Sequence, residues 1–343
     1  MKYFGKLKSQ KASRLKHLGM LLYLIPTLAT AQEEILVFHN CENLFYPKND
    51  PKTEDDEYTI EGKKHWTFKK YNDKLSALAK TYISIDENKM PAIIGLAEIE
   101  NDTVLNALTK NTPLRKVKYK FIHYSSPDMR GIDVALLYDS KKFTPIANYT
   151  LQRVSEKEED RTRDVLYVKG LLNDLPLNIY VVHAPSRREK NIKKNLRIKI
   201  FQSVLMHIDS LKTKGEENFI VMGDMNDNPW DESIKEGFKT ISYNKDGKEP
   251  ILFDLMQENK NKTGSYVYSG KLLSFDQFLV SKTIKQRIVF YNNCNRSFVY
   301  KPKFLIRPSR TSSLDIPFST YQGLRYTGGI SDHFPIILRI KTY

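Results

Sequence analysis

The chain has 343 residues, of which 40% are hydrophobic and 28% are charged, a composition that excludes a disordered or fibrous protein. Two cysteines are too few for a disulfide-stapled scaffold or for a zinc site built from several cysteines. The formal net charge of +15 favours a polyanionic partner without establishing one.

The first 31 residues have the pattern of a secretory signal peptide. Six lysines or arginines and no acid precede the apolar run Leu18–Pro26, and Ala29-Thr30-Ala31 ends the segment. The apolar stretch is shorter than the roughly 20 residues of a membrane-spanning helix, so we favour cleavage near Ala31 over a membrane anchor. The mature chain, residues 32–343, then has no membrane span, is secreted or periplasmic, and keeps a net charge of +9 after losing six positive charges.

Hydrophobic periodicity predicts one large α/β domain in the mature chain. Seven short β-branched or aromatic runs predict strands: Ile35–Phe38, Ala92–Leu96, Val134–Tyr138, Leu177–Val182, Phe219–Met222, Phe278–Val280 and Ile336–Leu338. Apolar residues spaced three and four apart predict two helices whose stripes face the core. The first stripe is Tyr71, Leu75, Leu78, Tyr82 and Ile85, and the second is Ile192, Leu196, Ile200, Val204, Ile208 and Leu211.

Two segments of the chain have a biased charge. Residues 50–61 contain six acids and one lysine, which indicates a solvated loop, with a calcium-binding loop as the alternative. Residues 277–314 contain eight lysines or arginines and no acid, with aromatic residues between them. Such a stretch can line a phosphate groove, or its aromatic residues can belong to the core, and the sequence leaves both interpretations open.

Polar residues follow several of the predicted strands, where α/β proteins tend to place their chemistry. They fall in five motifs: Phe38-His39-Asn40-Cys41-Glu42-Asn43, Gly95-Leu96-Ala97-Glu98, Val182-His183-Ala184-Pro185-Ser186, Gly223-Asp224-Met225-Asn226 and Ser331-Asp332-His333-Phe334-Pro335. Each motif alone is a weak signal. Together they place carboxylates, asparagines and histidines at strand ends in a fixed order, which suits the hydrolysis of a phosphate ester.

The residue types in these motifs indicate a divalent cation with oxygen ligands. Carboxylates such as Glu98 and Glu42 suit Mg²⁺, with Mn²⁺ or Ca²⁺ as alternatives, and the cation neutralises charge on a phosphate in the transition state. A histidine held by a carboxylate can move protons near neutral pH. The sequence contains no HExxH motif or cysteine pair for zinc, and no Walker A, dinucleotide-binding or GxSxG motif.

The five motifs, in this order, resemble the endonuclease/exonuclease/phosphatase superfamily, the deoxyribonuclease I-like fold. The resemblance runs from Phe38 to Ile340, and the segment Arg130–Tyr138 is similar to a stretch typical of secreted bacterial members. It implies that residues 32–343 form a four-layer sandwich, with two β-sheets packed face to face and helices on both outer sides. It also implies a divalent cation and a phosphodiester or phosphomonoester substrate.

On the metal side of the site, the resemblance implies a role for each of four residues. Glu98 matches the principal metal ligand of the family. Asn40 and Glu42 match the pair on the first strand that supports the metal and the phosphate. Asp332 matches the carboxylate beside the metal.

On the phosphate side, the resemblance implies that Asp224 positions or activates the attacking water and that Asn226 orients the phosphate. His333 matches the histidine that contacts the scissile phosphate, and Asp276 matches the aspartate that orients this histidine. His183 matches a second histidine of the deoxyribonuclease and sphingomyelinase branches, which donates a proton to the leaving group. In deoxyribonuclease I a glutamate supports that histidine, and Ile132 or Asp133 takes its place here.

We therefore expect an exported, metal-dependent phosphodiester hydrolase, a monomer acting on DNA or RNA. The alternative is the same chemistry on a lipid, an inositol phosphate or a small phosphate ester. Arg130, Arg163 and Arg187 are candidates for phosphate contact. Cys41 is expected to face away from Asn40 and Glu42 as a small buried side chain, without a disulfide to Cys294.

Overall fold

A computed structural model describes Met1 and residues 32–151, 157–187, 192–239, 250–257, 263–289, 297–307 and 314–342. The rest of the predicted signal peptide lies outside these described residues, so its cleavage stays a prediction. Residues 31–343 form one compact unit. Within the described part of the chain, no helix is both long enough and apolar enough to cross a membrane.

The described strands and helices are numbered along the chain. The strands are β1 (Gln32–Leu44), β2 (Ile93–Ile99), β3 (Tyr119–His123), β4 (Asp133–Asp139), β5 (Phe143–Thr150), β6 (Leu166–Leu172), β7 (Leu175–His183), β8 (Phe219–Asp224), β9 (Phe253–Asp254), β10 (Tyr266–Tyr268), β11 (Lys271–Leu273), β12 (Asp276–Val280), β13 (Ser297–Val299), β14 (Tyr321–Gln322), β15 (Arg325–Tyr326) and β16 (Ile336–Thr342). The helices are α1 (Phe68–Ile83), α2 (Asp102–Lys110), α3 (Lys194–Lys212), α4 (Glu232–Phe238) and α5 (Lys282–Lys285).

Two six-stranded sheets form the centre of the molecule. The first has the strand order β13-β16-β1-β2-β4-β3, and the second has the order β5-β6-β7-β8-β12-β9. In each sheet one central pair is parallel, β1 with β2 and β7 with β8, and the other pairs are antiparallel. Two short hairpins, β10–β11 and β14–β15, stand apart from the sheets.

The alternation of side chains along β7 shows how the layers pack. Ile179 and Val181 belong to the core that the second sheet shares with the first, whereas Tyr180 and Val182 belong to a separate core with α3 and α4. Gly95 of β2 faces Met222 of β8, and a Cβ on Gly95 would lie 2.5 Å from the sulfur of Met222, so this position has no room for a side chain. The predicted sandwich of two sheets with outer helices is confirmed.

Most of the predicted elements appear in the structure. All seven predicted strands are present, and the stripe from Tyr71 to Ile85 is buried. The second stripe is wrong at its first residue, because Ile192 lies two residues before α3 begins and is 72% exposed. The structure also contains β5, which the sequence pattern does not predict, because exposed residues and Pro145 in this edge strand weaken the strand signal.

The two segments of biased charge have different environments. Most side chains of residues 50–61 are exposed, as expected for a solvated loop, although Asp55 is buried and accepts a hydrogen bond from the Asp50 amide. In the basic segment, three half-buried aromatic residues pack against the core: Phe298, Tyr300 and Phe304. The interpretation that the aromatic residues of this segment belong to the core therefore holds for these three. Cys41, as expected, is a buried free thiol. Cys294 lies outside the described residues.

His123, at the end of β3, bridges two carboxylates. Its Nδ1 lies 2.9 Å from Asp102 Oδ1 in the first turn of α2, and its Nε2 lies 3.1 Å from Asp133 Oδ2 at the start of β4. Burial lowers the pKa of His123, but Asp133 and Asp102 outweigh burial and raise this pKa above its ordinary value. The charged imidazole therefore links three elements of the first sheet and its helix layer.

Replacing His123 by glutamine is expected to destabilise the protein more at about pH 6 than at about pH 9. The pKa of His123 is higher in the folded than in the unfolded chain, so its stabilisation is full below the unfolded pKa and disappears as the pH rises through the folded pKa. Urea unfolding of the wild type and His123→Gln across this pH range measures the difference. His65→Gln, at an exposed histidine, is the control. An equal loss at every pH would contradict the charged bridge.

Candidate active site

The polar ends of the central strands meet at one edge of each sheet. In the first sheet, Phe38 of β1 lies beside Gly95 of the parallel β2 and Ile336 of the antiparallel β16. The ends of β1 and β2 therefore lie next to the segment that precedes β16, which carries Asp332 and His333. Parallel strands share their carboxyl ends, and an antiparallel neighbour begins where they end.

The second sheet brings three further polar residues together by the same rule. Asp224, the last residue of β8, pairs in register with His183 of the parallel β7 and with Asp276 of the antiparallel β12. Direct contacts then join the two sheets. Asn40 Nδ2 donates to Asp224 Oδ2 at 3.0 Å, and His183 Nε2 lies 3.9 Å from Glu98 Oε1.

Glu98, the predicted metal ligand, is an ionised carboxylate among cationic and donor groups. Its Oε2 accepts a hydrogen bond from the Asn43 amide at 2.7 Å, and its Oε1 lies 3.7 Å from Nη2 of Arg130. Burial would raise the pKa of Glu98, but the Arg130 charge, the Asn43 amide and the His333 charge lower it below the ordinary value. Glu98 is therefore negatively charged at neutral pH.

Two more carboxylates, those of the buried Glu42 and the half-buried Asp332, lie on the metal side of the site. Glu42 Oε2 accepts a hydrogen bond from the Thr320 amide at 2.6 Å, and Oε1 accepts one from the Tyr321 amide at 3.3 Å. Burial and the charge of Asp332 raise the pKa of Glu42. Burial and the charge of Glu98 raise the pKa of Asp332, although the charge of His333 lowers it. This surplus of negative charge on hard oxygen donors fits a divalent cation such as Mg²⁺.

Asn40 links the two sides of the site. Besides its bond to Asp224, its Oδ1 accepts a hydrogen bond from the Glu42 amide at 2.9 Å, and its main-chain oxygen accepts one from Ser331 Oγ at 2.6 Å. The Asn40 side chain therefore orients Asp224 and the turn around Glu42. The turn residues Glu42 and Asn43, like Glu98 and Asn226, have positive φ angles between 49° and 60°, a strained conformation that often occurs at functional sites.

His333 is a buried cation held by aspartates. Its Nδ1 lies 2.7 Å from Asp276 Oδ2, and its Nε2 lies 3.8 Å from Asp224 Oδ2. Burial lowers the pKa of His333, but Asp276 and Asp224 raise it well above its ordinary value. The Tyr266 ring stacks on the imidazole at 4.6 Å. Because a protonated imidazole cannot ligate a metal, the cluster of Asp224, Asp276 and His333 is better suited to bind a phosphate oxygen.

Asp224 and Asn226 are connected through the turn after β8. The Asn226 amide donates to Asp224 Oδ1 at 2.9 Å, and Asn226 Nδ2 donates to the main-chain oxygen of Ala184 at 2.9 Å. Burial and the charge of Asp276 raise the pKa of Asp224, while His333 lowers it. Asp224 therefore has its Oδ2 directed at Asn40 and His333, where it can accept a proton from a water molecule.

His183 lies between Glu98 and Asp224, with its Nε2 3.7 Å from Asp224 Oδ2. Burial and the charges of Arg163 and Arg130 lower the pKa of His183 well below its ordinary value, so the imidazole is neutral at neutral pH. Its Nδ1 has no partner in the described part of the chain. Asp133, one of the two residues considered as its support, binds His123 instead. A neutral His183 can donate a hydrogen bond to a substrate oxygen, and the role of proton donor stays a prediction.

The three candidate arginines have different partners. Arg130 lies nearest the metal side, 3.7 Å from Glu98. Arg163 lies beside the site, where it binds Asp128 Oδ2 at 2.9 Å and the Ala184 main-chain oxygen at 2.8 Å. Arg187 binds Asp227 and Asp231 and stacks on Phe275 at 4.8 Å. Arg130 is therefore the arginine best placed to meet a phosphate.

Lys74, a buried lysine that contacts Glu42, belongs to the site but was not among the residues predicted from the sequence. Its ammonium donates to the main-chain oxygen of Glu42 and, at 2.7 Å, to Thr320 Oγ1. Burial lowers the pKa of Lys74, and the charges of Glu42, Asp332 and Glu98 oppose this effect. A signal was present, because Lys74 falls on the same face of α1 as the apolar stripe, three residues after Tyr71.

Comparisons with known proteins agree with this fold. A model of the Endonuclease/Exonuclease/phosphatase family matches residues 35–342. An endonuclease/exonuclease/phosphatase family protein from Bacteroides thetaiotaomicron has a TM-score of 0.58 at 15% identity, covering 91% of this chain and 96% of its own. A mannosyl-6-phosphatase from the same organism has a TM-score of 0.56 at 15% identity, covering 90% and 100% of the two chains.

A third similar structure is D. rerio TDP2 complexed with a single-strand DNA product. Its TM-score is 0.52 at 16% identity, and the match covers 90% of this chain and 99% of that one. A search of curated proteins gave no match. At these identities the similar structures establish the shared fold, whereas the family model, which matches residues 35–342 of the 343-residue chain, establishes the family.

Proposed function

The chain belongs to the endonuclease/exonuclease/phosphatase family, whose members hydrolyse phosphoric esters, and from this premise we propose that it is an exported, Mg²⁺-dependent phosphodiesterase that acts on nucleic acid. Asp224 supports this proposal because it lies between two oppositely charged groups. On one side is the anionic Glu98, because His183 Nε2 lies 3.7 Å from Asp224 Oδ2 and 3.9 Å from Glu98 Oε1. On the other side is the cationic His333, whose Nε2 lies 3.8 Å from Asp224 Oδ2. A phosphate bound there could meet a divalent cation and a cationic imidazole at once.

Each side chain has a task that follows from its contacts. A divalent cation held by Glu98, Asp332 and Glu42 would neutralise charge on the phosphate and on the leaving oxygen. His333, fixed by Asp276, donates from Nε2 to a phosphate oxygen, and its charge stabilises the negative transition state. Asp224 accepts a proton from the attacking water.

The charge of the mature chain supports a polyanionic substrate. Removal of the signal peptide leaves a net charge of +9, and residues 277–314 contain no acid. A nucleic acid contacts several lysines and arginines and releases a counterion at each, so its binding weakens steeply with salt. A small phosphate ester contacts fewer charges and has a shallow dependence on salt.

Duplex DNA, single-stranded DNA or RNA is therefore expected to be cleaved with an apparent KM that rises strongly between low and moderate salt. Neutralising Lys301, Lys303 and Arg307 together should flatten this dependence and leave the turnover at saturation nearly unchanged. The matched control neutralises Lys199, Lys212 and Lys214, three exposed lysines in and after α3 on the outer face of the second sheet. An identical salt dependence in both triple variants would contradict the proposed binding surface.

A small or lipid phosphate ester is the second candidate. One observation favours it: the described part of the basic segment is already engaged within the protein. Lys301 Nζ lies 2.7 Å from Asp315 Oδ2, and the Lys80 ammonium lies 4.4 Å from the centre of the Phe304 ring. Assays of nucleic acids, sphingomyelin and nitrophenyl phosphate esters, each with Mg²⁺ and with EDTA, decide between the candidates. Hydrolysis of the esters alone would replace the nuclease proposal.

Export is the part of the proposal that rests on the sequence alone. A basic region, an apolar region and small residues precede Gln32. We expect mass spectrometry of the mature protein to find an N-terminus near Gln32. We also expect the mature protein to be a monomer in solution. Recovery of the chain from the cytoplasm with Met1 intact would contradict export.

A further inference from the structure

The hairpin of β10 and β11 begins beside the pair Asp276 and His333. Tyr266, the first residue of β10, has its ring nearly parallel to the His333 imidazole, with an interplanar angle of 25° and 4.6 Å between the ring centroids. The main chains of these two residues also form an isolated antiparallel bridge. The hydrogen bond to Asp276 fixes one atom of the imidazole, whereas a stacked ring also restricts the tilt of its plane.

Ser265, the residue before Tyr266, contacts the main chain around both members of the pair. Its Oγ accepts a hydrogen bond from the Asp276 amide at 3.2 Å, and its main-chain oxygen accepts one from the Phe334 amide at 2.8 Å. Ser265 is buried, whereas Tyr266 is half-buried. Asp276 and His333 lie 57 residues apart in the chain, so residues 265–266 join them independently of their own hydrogen bond.

The Tyr266 ring is itself held by a second aromatic ring. The buried Phe275 ring lies 5.4 Å from the Tyr266 ring at an interplanar angle of 20°. The Arg187 guanidinium lies 4.8 Å from the centre of the Phe275 ring and is fixed by an ion pair with Asp227 at 2.6 Å. The Tyr266 ring therefore cannot turn away from the His333 imidazole without disturbing this packing.

We propose that Tyr266 is a positioning residue for the hydrolysis, and that its ring sets the plane of the His333 imidazole. The stack would hold Nε2 of His333 at its place 3.8 Å from Asp224 Oδ2, where the phosphate is expected to bind. A hydrogen bond weakens steeply when the donor turns away from the acceptor, so a tilted imidazole would stabilise the transition state less. The inference rests on the role of His333 in the proposed function, not on the identity of the substrate.

Steady-state kinetics of the full mature chain with Mg²⁺ test the proposal, on the substrate that the wild type cleaves in the assays above. Tyr266→Leu removes the ring and is expected to lower kcat about tenfold or more with little change in KM, because it disturbs a group that acts in the transition state. Tyr266→Phe keeps the ring and should retain a kcat close to that of the wild type. Tyr268→Leu, at an exposed tyrosine of the same strand, is the matched control.

The same substitution in the His333→Ala background separates positioning from a general structural role. With the imidazole gone, Tyr266→Leu should lower kcat little further, because the group that the ring positions is absent. A tyrosine that only supports the fold would lower kcat by the same factor in both backgrounds. Losses that multiply would therefore overturn the inference.

The imidazole proton resonances of His333 give a readout on the wild type, which applies even where Tyr266→Leu does not fold. The ring current of Tyr266 should shift these resonances upfield, and His333→Ala assigns them by their loss. Tyr266→Phe should keep the shift. Resonances without an upfield shift in the wild type would show that the stack does not form in solution and would overturn the inference.

Two further outcomes are decisive. A loss of kcat in Tyr266→Phe as large as that in Tyr266→Leu would assign the effect to the hydroxyl group and overturn the role of the ring. Near-full activity of His333→Ala would remove the proposed role of His333 together with this inference. Full activity of a folded Tyr266→Leu protein, with His333→Ala impaired, would remove the inference alone.

Discussion

Replacing Glu98 by glutamine is expected to lower hydrolysis at least about hundredfold, which corresponds to about 2.7 kcal/mol of lost transition-state stabilisation. The amide keeps the size of the side chain and an oxygen that can accept from the Asn43 amide. The substitution removes the negative charge that would hold the cation. It also removes the carboxylate oxygen that lies 3.7 Å from Arg130 Nη2. The loss should therefore fall on activity, with little change in folding.

The steady-state rate and the thermal unfolding of Glu98→Gln give the two readouts, with Mg²⁺ varied and with EDTA as the metal-free reference. Glu100→Gln is the matched control, since Glu100 is a buried glutamate two residues further along whose carboxylate accepts a hydrogen bond from the Tyr46 amide. We expect Glu100→Gln to retain most of the activity. Near-full activity of Glu98→Gln, or activity that EDTA does not affect, would place the metal elsewhere.

The second large effect is expected at the pair Asp276 and His333, which should behave as one unit. His333→Ala and Asp276→Asn should each lower activity about hundredfold or more, because the imidazole loses either its ring or the carboxylate that holds it at 2.7 Å. The double variant should cost little more than the worse single variant. Losses that simply multiply would show that the two residues act separately.

Asp276→Asn should also change the pH dependence of the rate. Asp276 is the largest of the charges that raise the pKa of His333, so its removal lowers the pH at which the imidazole loses its proton. Loss of that proton removes the cation that meets the phosphate, and the alkaline limb of the pH–rate profile should move to lower pH. Asp254→Asn, at a buried aspartate paired in register with Leu279 of β12, is the control and should leave the limb in place.

The local elements of this fold could be predicted from the sequence because their signals are local. A buried strand such as Phe219–Met222 is a short apolar run, and the stripe of α1 repeats every three or four residues. The order of the five motifs identified the family and therefore the sandwich. The same motifs indicated Glu98, Asp224 and His333, which the structure brings to one edge of the two sheets.

Other features depended on contacts between residues far apart in the chain. The sequence allows Asp133 to support His183. In the structure, however, Asp133 binds His123 on the neighbouring strand. Arg187 is one of several arginines in sequence, and only the fold pairs it with Asp227 and Asp231. Which of several equivalent partners a charged side chain takes depends on distance in space, and residue spacing along the chain does not determine that distance.

The sequence by itself determined the fold class, the position of seven core strands along the chain and the residue types of the site. Only the tertiary structure decided the charge states and the partners within it. Lys74 shows the reason: its pKa and its hydrogen bonds depend on burial beneath Glu42 and Thr320, which lie 32 and 246 residues away in the chain. Burial and electrostatic fields are sums over neighbours in three dimensions, and those neighbours exist only once both sheets have packed.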